Sequence, residues 1–164
     1  MHIRQVVPDD RPSLRTILDE TRVFTDDEVD VALELVDTVL GNPESRDYVI
    51  QVAVDQNGRV LGYYCVGPTP LTASTYDLYW IAVLPALQSK GVGSRLLNHA
   101  EEFVRSKGAT LVVAETSSQP KYEPTRMFYI RNRYAELARI KNYYKAGDDL
   151  VVYGKYFSQQ HGVN

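Results

Sequence analysis

LYWIAVLPALQSKGVGSRLL, residues Leu78 to Leu97, is the stretch from which the rest of the chain is read. It opens as an apolar β-type run, Leu78 to Leu84, punctuated by Pro85. A short turn carrying Gln88, Ser89, Lys90, Gly91, Val92 and Gly93 follows, and an amphipathic helix begins near Gly91. Glycines at 91 and 93 let the main chain take up positive φ and approach a ligand closely, so several N–H groups can converge on one point. The first helical turn adds its unpaired donors and the positive end of its dipole. A phosphate or diphosphate suits such a turn, with the side chains of Lys90 and Ser94 to supplement it.

Two other phosphate patterns fit less well. No G-x-x-x-x-G-K-[ST] run exists, and the dinucleotide fingerprint G-x-G-x-x-G fails at its last position, where Leu96 stands. Composition narrows the classes further. At 164 residues the chain is read as one domain, long enough to bury roughly two thirds of its unfolded surface. A net charge of −3 supplies no field that would draw a polyanion, so nucleic acid is not expected as a partner. The single cysteine, Cys65, excludes an intrachain disulfide and a multi-cysteine metal site, and it reads as an inert core residue. His2, His99 and His161 share no metal-ligand spacing, so no metal is expected. MHIRQVVPDD lacks the apolar centre of a signal peptide, and no apolar run approaches membrane-spanning length. A cytoplasmic protein with no membrane partner is the expectation.

Outward from the central stretch, the remaining elements follow from period and punctuation. Ile3 to Val7 is a short β-type run closed by Pro8, and Asp9 or Asp10 can cap a helix with Leu14, Ile17 and Leu18 on one face. Thr25 or Asp26 caps a second helix, apolar at Val29, Ala32, Leu33, Val36 and Leu40, that Gly41, Asn42 and Pro43 stop. Its outer face, Asp26, Asp27, Glu28, Asp30, Glu34 and Asp37, is either a solvated surface or an attractor for a cationic amine. Tyr48 to Val54 and Arg59 to Val66 form a hairpin about the turn Asp55 to Gly58. Gly67 to Ser74, interrupted by two prolines, is a loop, a binding rim or a plain connector. After the central helix, ending near Lys107 and Gly108, come a buried strand Thr110 to Ala114 and a helix from Pro124 to about Arg131. Strands Tyr134 to Ile140 and Leu150 to Phe157 follow, joined by a connection Lys141 to Asp149, and a few tail residues end the chain.

The spacing V-x-P-x-x-Q-x-x-G-x-G after a strand, here Val83, Pro85, Gln88, Gly91 and Gly93, resembles the acyl-CoA signature of the GNAT superfamily of N-acetyltransferases. The element order β-α-α-β-β-β-α-β-α-β-β resembles the GNAT fold over nearly the whole chain: an α/β class with a central mixed, twisted sheet flanked by helices. The resemblance implies transfer of an acetyl group from acetyl-CoA to an amine through a tetrahedral intermediate, without a covalent acyl-enzyme. It implies that the turn Gln88, Ser89, Lys90, Gly91, Val92, Gly93 and Ser94 grips the diphosphate. It further implies that Ile81, Ala82 and Val83 offer main-chain groups to the pantetheine arm and the thioester carbonyl. Tyr129, in MFYIRNRY, stands where the family's F-Y-x-x-x-G-F/Y helix presents a tyrosine to the CoA sulfur as general acid.

Two positions depart from that pattern. Arg133 replaces the motif's glycine after Asn132, so the helix closes with Asn in the left-handed region or in another way. Tyr122 replaces an asparagine common seven residues before the tyrosine. Arg126, one turn before Tyr129, reaches the CoA phosphates or pairs with Glu123. Glu115 and Asp77 are the candidates for a general base, with an unassisted amine as the remaining alternative. An acceptor pocket is expected between the first two helices, the Gly67 to Ser74 loop and the Lys141 to Asp149 connection. There Tyr76, Tyr79, Trp80, Tyr143 and Tyr144 either line it or pack as core. The partner is then a small-molecule or peptide amine, and relatives suggest a homodimer. A non-catalytic acyl-CoA sensor on the same fold, and a nucleotide-binding protein, are the competing classes.

Overall fold

The computed structural model describes residues 1–158, so His161 and most of the expected tail lie outside the described residues. Among the described residues the elements run β1 (His2–Gln5), α1 (Arg11–Thr21), α2 (Asp26–Gly41), β2 (Val49–Val54), β3 (Val60–Pro68) and β4 (Thr75–Val83). There follow α3 (Val92–Ser106), β5 (Leu111–Ser117), α4 (Glu123–Arg131), β6 (Ala135–Lys145) and β7 (Asp148–Tyr156). The strands form a seven-stranded sheet in the order β1-β2-β3-β4-β5-β7-β6. It is mixed: β4 and β5 run parallel, whereas β1–β2, β2–β3, β5–β7 and β6–β7 are antiparallel. The chain divides into two compact units, Met1–Pro68 with Leu78–Glu101, and Thr69–Asp77 with the residues from Glu102 onward.

In the first unit the expected apolar faces meet. Leu14, Ile17 and Leu18 of α1 and Val29, Ala32, Leu33 and Val36 of α2 are buried with Ile50, Val52, Tyr63 and Cys65 of the sheet. Fully burying one such aliphatic side chain contributes about 1.5–3 kcal/mol, so this cluster dominates the unit's stability. Thr25 caps α2 in a capping box: the Glu28 amide donates to Thr25 Oγ1 at 3.3 Å and the Thr25 amide to Glu28 Oε2 at 2.7 Å. Asp10 does not cap α1. Its carboxylate accepts from both terminal nitrogens of Arg4, at 2.7 and 2.9 Å, and from the Val7 amide at 2.9 Å. Burial alone would raise its pKa, but those bonds and the Arg4 charge hold it below the usual carboxylate range.

Strand β3 runs two residues further than expected. Pro68 stands exposed at its end, where a missing N–H removes no interior ladder bond. The preceding Gly67 accepts a close approach, since a Cβ there would lie 2.0 Å from the Asp47 carbonyl oxygen. The loop is therefore Thr69 to Ser74.

In the second unit, the first three residues of β4 pair in parallel with Leu111 to Val113, and β5 pairs along its length with β7. The expected connection Lys141 to Asp149 is not a loop. β6 continues to Lys145 and turns into β7 through Ala146 and Gly147 alone, with Gly147 at φ +77°. Residues 141–144 bulge against Asp149, between the pairs Ile140–Leu150 and Lys145–Asp148. That bulge absorbs the polar sequence that reads as a loop.

Candidate functional site

In the first unit the site is built from main chain. Pro85–Leu87 makes one tight turn, after which Ser89 at φ +60° and Gly91 at φ +84° reverse the chain on either side of Lys90. The Gln88 and Lys90 amides bond within the turn, to the Pro85 and Leu87 carbonyls at 3.1 and 3.3 Å. Those two donors, counted among the anion-gripping amides from sequence, are therefore used locally. The helix ladder starts with the Arg95 amide on the Gly91 carbonyl at 3.0 Å. The amides of Val92, Gly93 and Ser94 precede that ladder, at the positive end of the α3 dipole. Val92 is buried and anchors the helix, whereas Gln88, Ser89, Lys90 and Gly91 are exposed. The end of β4 is fixed beside the turn: Ala82 and Val83 are buried, Ile81 is half-buried, and the Leu84 amide donates to the Leu61 carbonyl at 2.9 Å.

Tyr79 and Trp80 belong to the edge of the first unit's core. Tyr79 meets Tyr48 edge-on with ring centroids 5.3 Å apart, and Trp80 meets Phe24 at 5.0 Å. His99, on α3, shares a hydrogen bond of 2.9 Å between Nδ1 and the hydroxyl of the buried Tyr64. Burial pushes the Cys65 thiol up to about 12, which keeps it protonated and not nucleophilic at neutral pH.

In the second unit the site is built from side chains brought together over long sequence separations. Asp77, half-buried, accepts from Thr69 Oγ1 at 2.7 Å. Glu115 lies within β5 rather than past its end, because the strand continues to Ser117. Its side chain is exposed, yet burial of its carboxyl and then the negative charge of Asp77 raise its pKa.

Tyr129 is buried at 5% exposure, stacked on Tyr153 with ring centroids 5.7 Å apart and tilted against Tyr134 at 5.5 Å. That burial raises its phenol pKa, so the proton stays on the oxygen throughout the physiological range.

The helix bearing Tyr129 closes in a Schellman motif. The Tyr134 amide bonds the Tyr129 carbonyl and the Arg133 amide the Ile130 carbonyl, each at 3.0 Å. Arg133 itself takes the left-handed conformation, at φ +68°, that the family pattern assigns to glycine. Asn132 stays at φ −91° and donates Nδ2 to the Phe128 carbonyl at 2.8 Å. Tyr122 is a buried side chain at the other end of the helix.

Arg126 neither pairs with Glu123 nor stands as a free cation. It donates Nη1 to the carbonyls of Ser117 and Gln119, at 2.8 and 2.9 Å. The buried Asp148 completes this support, accepting from Ser117 Oγ and, at 2.6 Å, from Gln119 Nε2. Ser118 Oγ accepts the Asp149 amide at 2.8 Å. This network ties the end of β5 and the start of α4 to the β6–β7 hairpin. Sequence reasoning missed Asp148, Ser117 and Gln119; the available signal was a run of small polar residues ending an apolar strand.

Tyr143 and Tyr144 project from the β6 bulge at 57% and 49% exposure, edge to face 5.0 Å apart. Asn142, at φ +55°, shapes the bulge, its amide donating to Asp149 and its side chain accepting from the Gly147 amide. Of the five aromatics expected to line an acceptor pocket, Tyr79 and Trp80 are core-edge rings in the first unit, whereas in the second unit Tyr143 and Tyr144 are exposed rings and Tyr76, on β4, is half-buried. Among the described residues no group of three or more His, Cys, Asp or Glu is disposed to hold a metal ion, and no helix is long and apolar enough to cross a membrane.

The model of the acetyltransferase (GNAT) family matches residues 11–130 of the chain. A Bacillus subtilis (strain 168) protein described as the uncharacterized N-acetyltransferase YhfO is 28% identical over 141 residues, spanning 83% of this chain and 91% of that protein. A crystal structure of a candidate GNAT-family acetyltransferase from Desulfovibrio desulfuricans has 42% identity and a TM-score of 0.90, over 94% of this chain and 98% of that one. An aminoglycoside 6'-N-acetyltransferase complexed with coenzyme A aligns with a TM-score of 0.74 over 95% of this chain and 97% of that one. At 19% identity, that last likeness is one of fold.

Proposed function

Because this chain belongs to the acetyltransferase (GNAT) family it is an N-acetyltransferase, and we propose that it passes an acetyl group from acetyl-CoA to a primary amine by direct attack. The observation that carries the donor assignment is the α3 N-terminus. Its left-handed Ser89 and Gly91 leave the amides of Val92, Gly93 and Ser94 ahead of the helix ladder, beneath a Val83-Pro85-Gln88 frame. A diphosphate oxygen is the ligand chemistry such donors recognise. Lys90, exposed beside them, supplies a positive charge.

In this reading the amine nitrogen attacks the thioester carbonyl carbon, the carbonyl oxygen takes up negative charge, and a main-chain N–H at the end of β4 stabilises it. The carbon–sulfur bond then breaks and the thiolate takes the phenolic proton of Tyr129. Burial raises that phenol's pKa, which keeps the proton on the oxygen until the thiolate forms and at the same time makes the phenol a weaker acid. The proton lost by the amine passes to Glu115 or Asp77, directly or through water. Glu115's raised pKa makes it a better acceptor than an ordinary carboxylate at the cost of a smaller ionised fraction in acid. The two carboxylates and the exposed pair Tyr143 and Tyr144 suit a cationic amine.

Calorimetry with acetyl-CoA, CoA and ATP tests the donor: binding of the first two but not ATP supports it, and no heat with CoA refutes it. Turnover of acetyl-CoA with a panel of primary amines tests the chemistry. Tyr129→Phe is expected to lower kcat by about a hundredfold with the Kd for acetyl-CoA unchanged, and equal rates would remove the tyrosine from the mechanism.

A further inference from the structure

Gly62, on β3, is the residue whose missing side chain leaves the largest mark on the end of β4. A Cβ built there would lie 2.7 Å from the Ala82 carbonyl oxygen and 3.1 Å from Val83 Cα, both main chain, and 3.1 Å from Leu96 Cδ1. A side-chain carbon does not approach a backbone oxygen at 2.7 Å, so any Cβ at this position requires the main chain to move, the Ala82–Val83 peptide included. Leu96 is a different kind of neighbour, because its methyl can turn away.

The same region of β3 is irregular on its other side. Ala53 pairs with Gly62 and Val54 with Val60, which leaves Leu61 as an extra residue in the ladder. The carbonyl of that bulged Leu61 accepts from the Leu84 amide at 2.9 Å. One bulge and one glycine thus set where Ala82, Val83 and Leu84 run. Across a trans peptide the carbonyl and the next N–H point in opposite directions. With the Ala82 oxygen lying against Gly62, the Val83 N–H is aimed away from β3.

We propose that Gly62 is a positioning residue for the acyl donor: by admitting the Ala82 carbonyl into the space a side chain would fill, it aims the Val83 N–H outward for the thioester or pantetheine arm. This rests on the acyl-CoA reading of the site. Gly62 contacts no part of the donor in this proposal and acts only through the peptide it lets turn.

The test separates the pantetheine arm from the nucleotide end. Acetyl-CoA and 3′-phosphoadenosine 5′-diphosphate, which has the diphosphate but no arm, are titrated by calorimetry into wild type, Gly62→Ala and Gly62→Ala/Leu96→Val. In Gly62→Ala the Kd for acetyl-CoA is expected to rise about tenfold while that for the nucleotide changes less than about twofold, the loss of one hydrogen-bonded contact. The double variant relieves the Leu96 contact but not the carbonyl contact. It is expected to regain thermal stability and not acetyl-CoA affinity. Equal loss of both ligands, unchanged affinity for both, or recovery of acetyl-CoA binding in the double variant each overturns the assignment of Gly62 and leaves the donor reading standing. A wild type that binds neither ligand overturns both.

Discussion

The two units solve the same problem, a chain reversal at a helix end, with different residues. Before α3 the reversal is written with glycine: Gly91 sits at φ +84° with open space around it. After α4 the equivalent left-handed position, φ +68°, is occupied by Arg133, and neighbours hold it there. Asn132 bonds back to Phe128, Lys155 Nζ reaches the Asn132 carbonyl at 3.3 Å, and the two Schellman bonds close the turn. The difference follows from what each end supports. On the proposed reading the α3 main chain is the functional surface, and glycine takes the left-handed conformation there without strain. At α4 the main chain is scaffolding for Tyr129, and any residue that the packing can force into place will serve.

The largest expected effect strikes that scaffold. Asp148 is 5% exposed and accepts from Ser117 and Gln119, so Asp148→Ala leaves one buried and one half-buried donor unmatched. A loss of about 3 kcal/mol in urea unfolding is expected. Asp148→Asn, which retains one acceptor, is expected to lose roughly half of that. If acetyl-CoA still binds the folded fraction of Asp148→Ala with wild-type affinity, the main-chain site is independent of the side-chain scaffold; equal losses in both would erase the contrast.

The paired substitutions Gly91→Ala and Arg133→Gly come next in size and have opposite signs. A Cβ at Gly91 meets nothing within 4 Å, so its only penalty is the left-handed conformation, about 1 kcal/mol, and the weakened turn is expected to raise the Kd for CoA. Arg133→Gly removes the same penalty, and a gain of up to about 1 kcal/mol in thermal unfolding is expected with CoA affinity unchanged. A destabilised Arg133→Gly would mean that the arginine side chain holds the helix end by contacts stronger than the strain.

This contrast also explains what the sequence discloses. The turn from Val83 to Ser94 is contiguous and is shaped by glycine and proline, the residues with the most distinctive backbone preferences, so its place between strand and helix is legible. Within it the local bonds of the Gln88 and Lys90 amides escape notice, since donors bonded inside a turn leave no compositional trace. The order of elements is likewise readable, because helical and strand periods differ. Asp148 reaching Ser117 across 31 residues, or Arg126 turning from Glu123 to two main-chain carbonyls, is decided by tertiary proximity that no local pattern encodes. The β6 bulge is hidden for a related reason: KNYYKAGDD has the polarity of a loop, and Asp149's bonds to Arg139 and the Asn142 amide, with the Gly147 amide on Asn142 Oδ1, hold it in the hairpin.

The smallest expected effect concerns the carboxylate pair of the second unit. Burial and then the charge of Asp77 hold the Glu115 pKa above its ordinary value. If Glu115 accepts the amine proton, activity rises with pH as Glu115 ionises, and the acid limb of kcat/KM lies above the usual carboxylate range. Asp77→Asn removes the second cause and leaves the first, so the limb is expected to move to lower pH without returning fully to the ordinary value. The amide oxygen that this substitution introduces can still accept the Thr69 hydroxyl, so the local fold is retained. Stability carries the same signature. Because the folded-state pKa is the higher one, the folded protein keeps a proton that the unfolded chain releases, and Glu115's contribution to stability declines as pH rises from the ordinary to the raised value. In Asp77→Asn that decline is expected to shrink, measured by urea unfolding across the same pH range. A kinetic limb that stays in place while the stability profile flattens would show that Glu115 senses Asp77 but does not take the amine proton; because Asp77 is absent from the variant, it would exclude Asp77 as well and leave water or the unassisted amine.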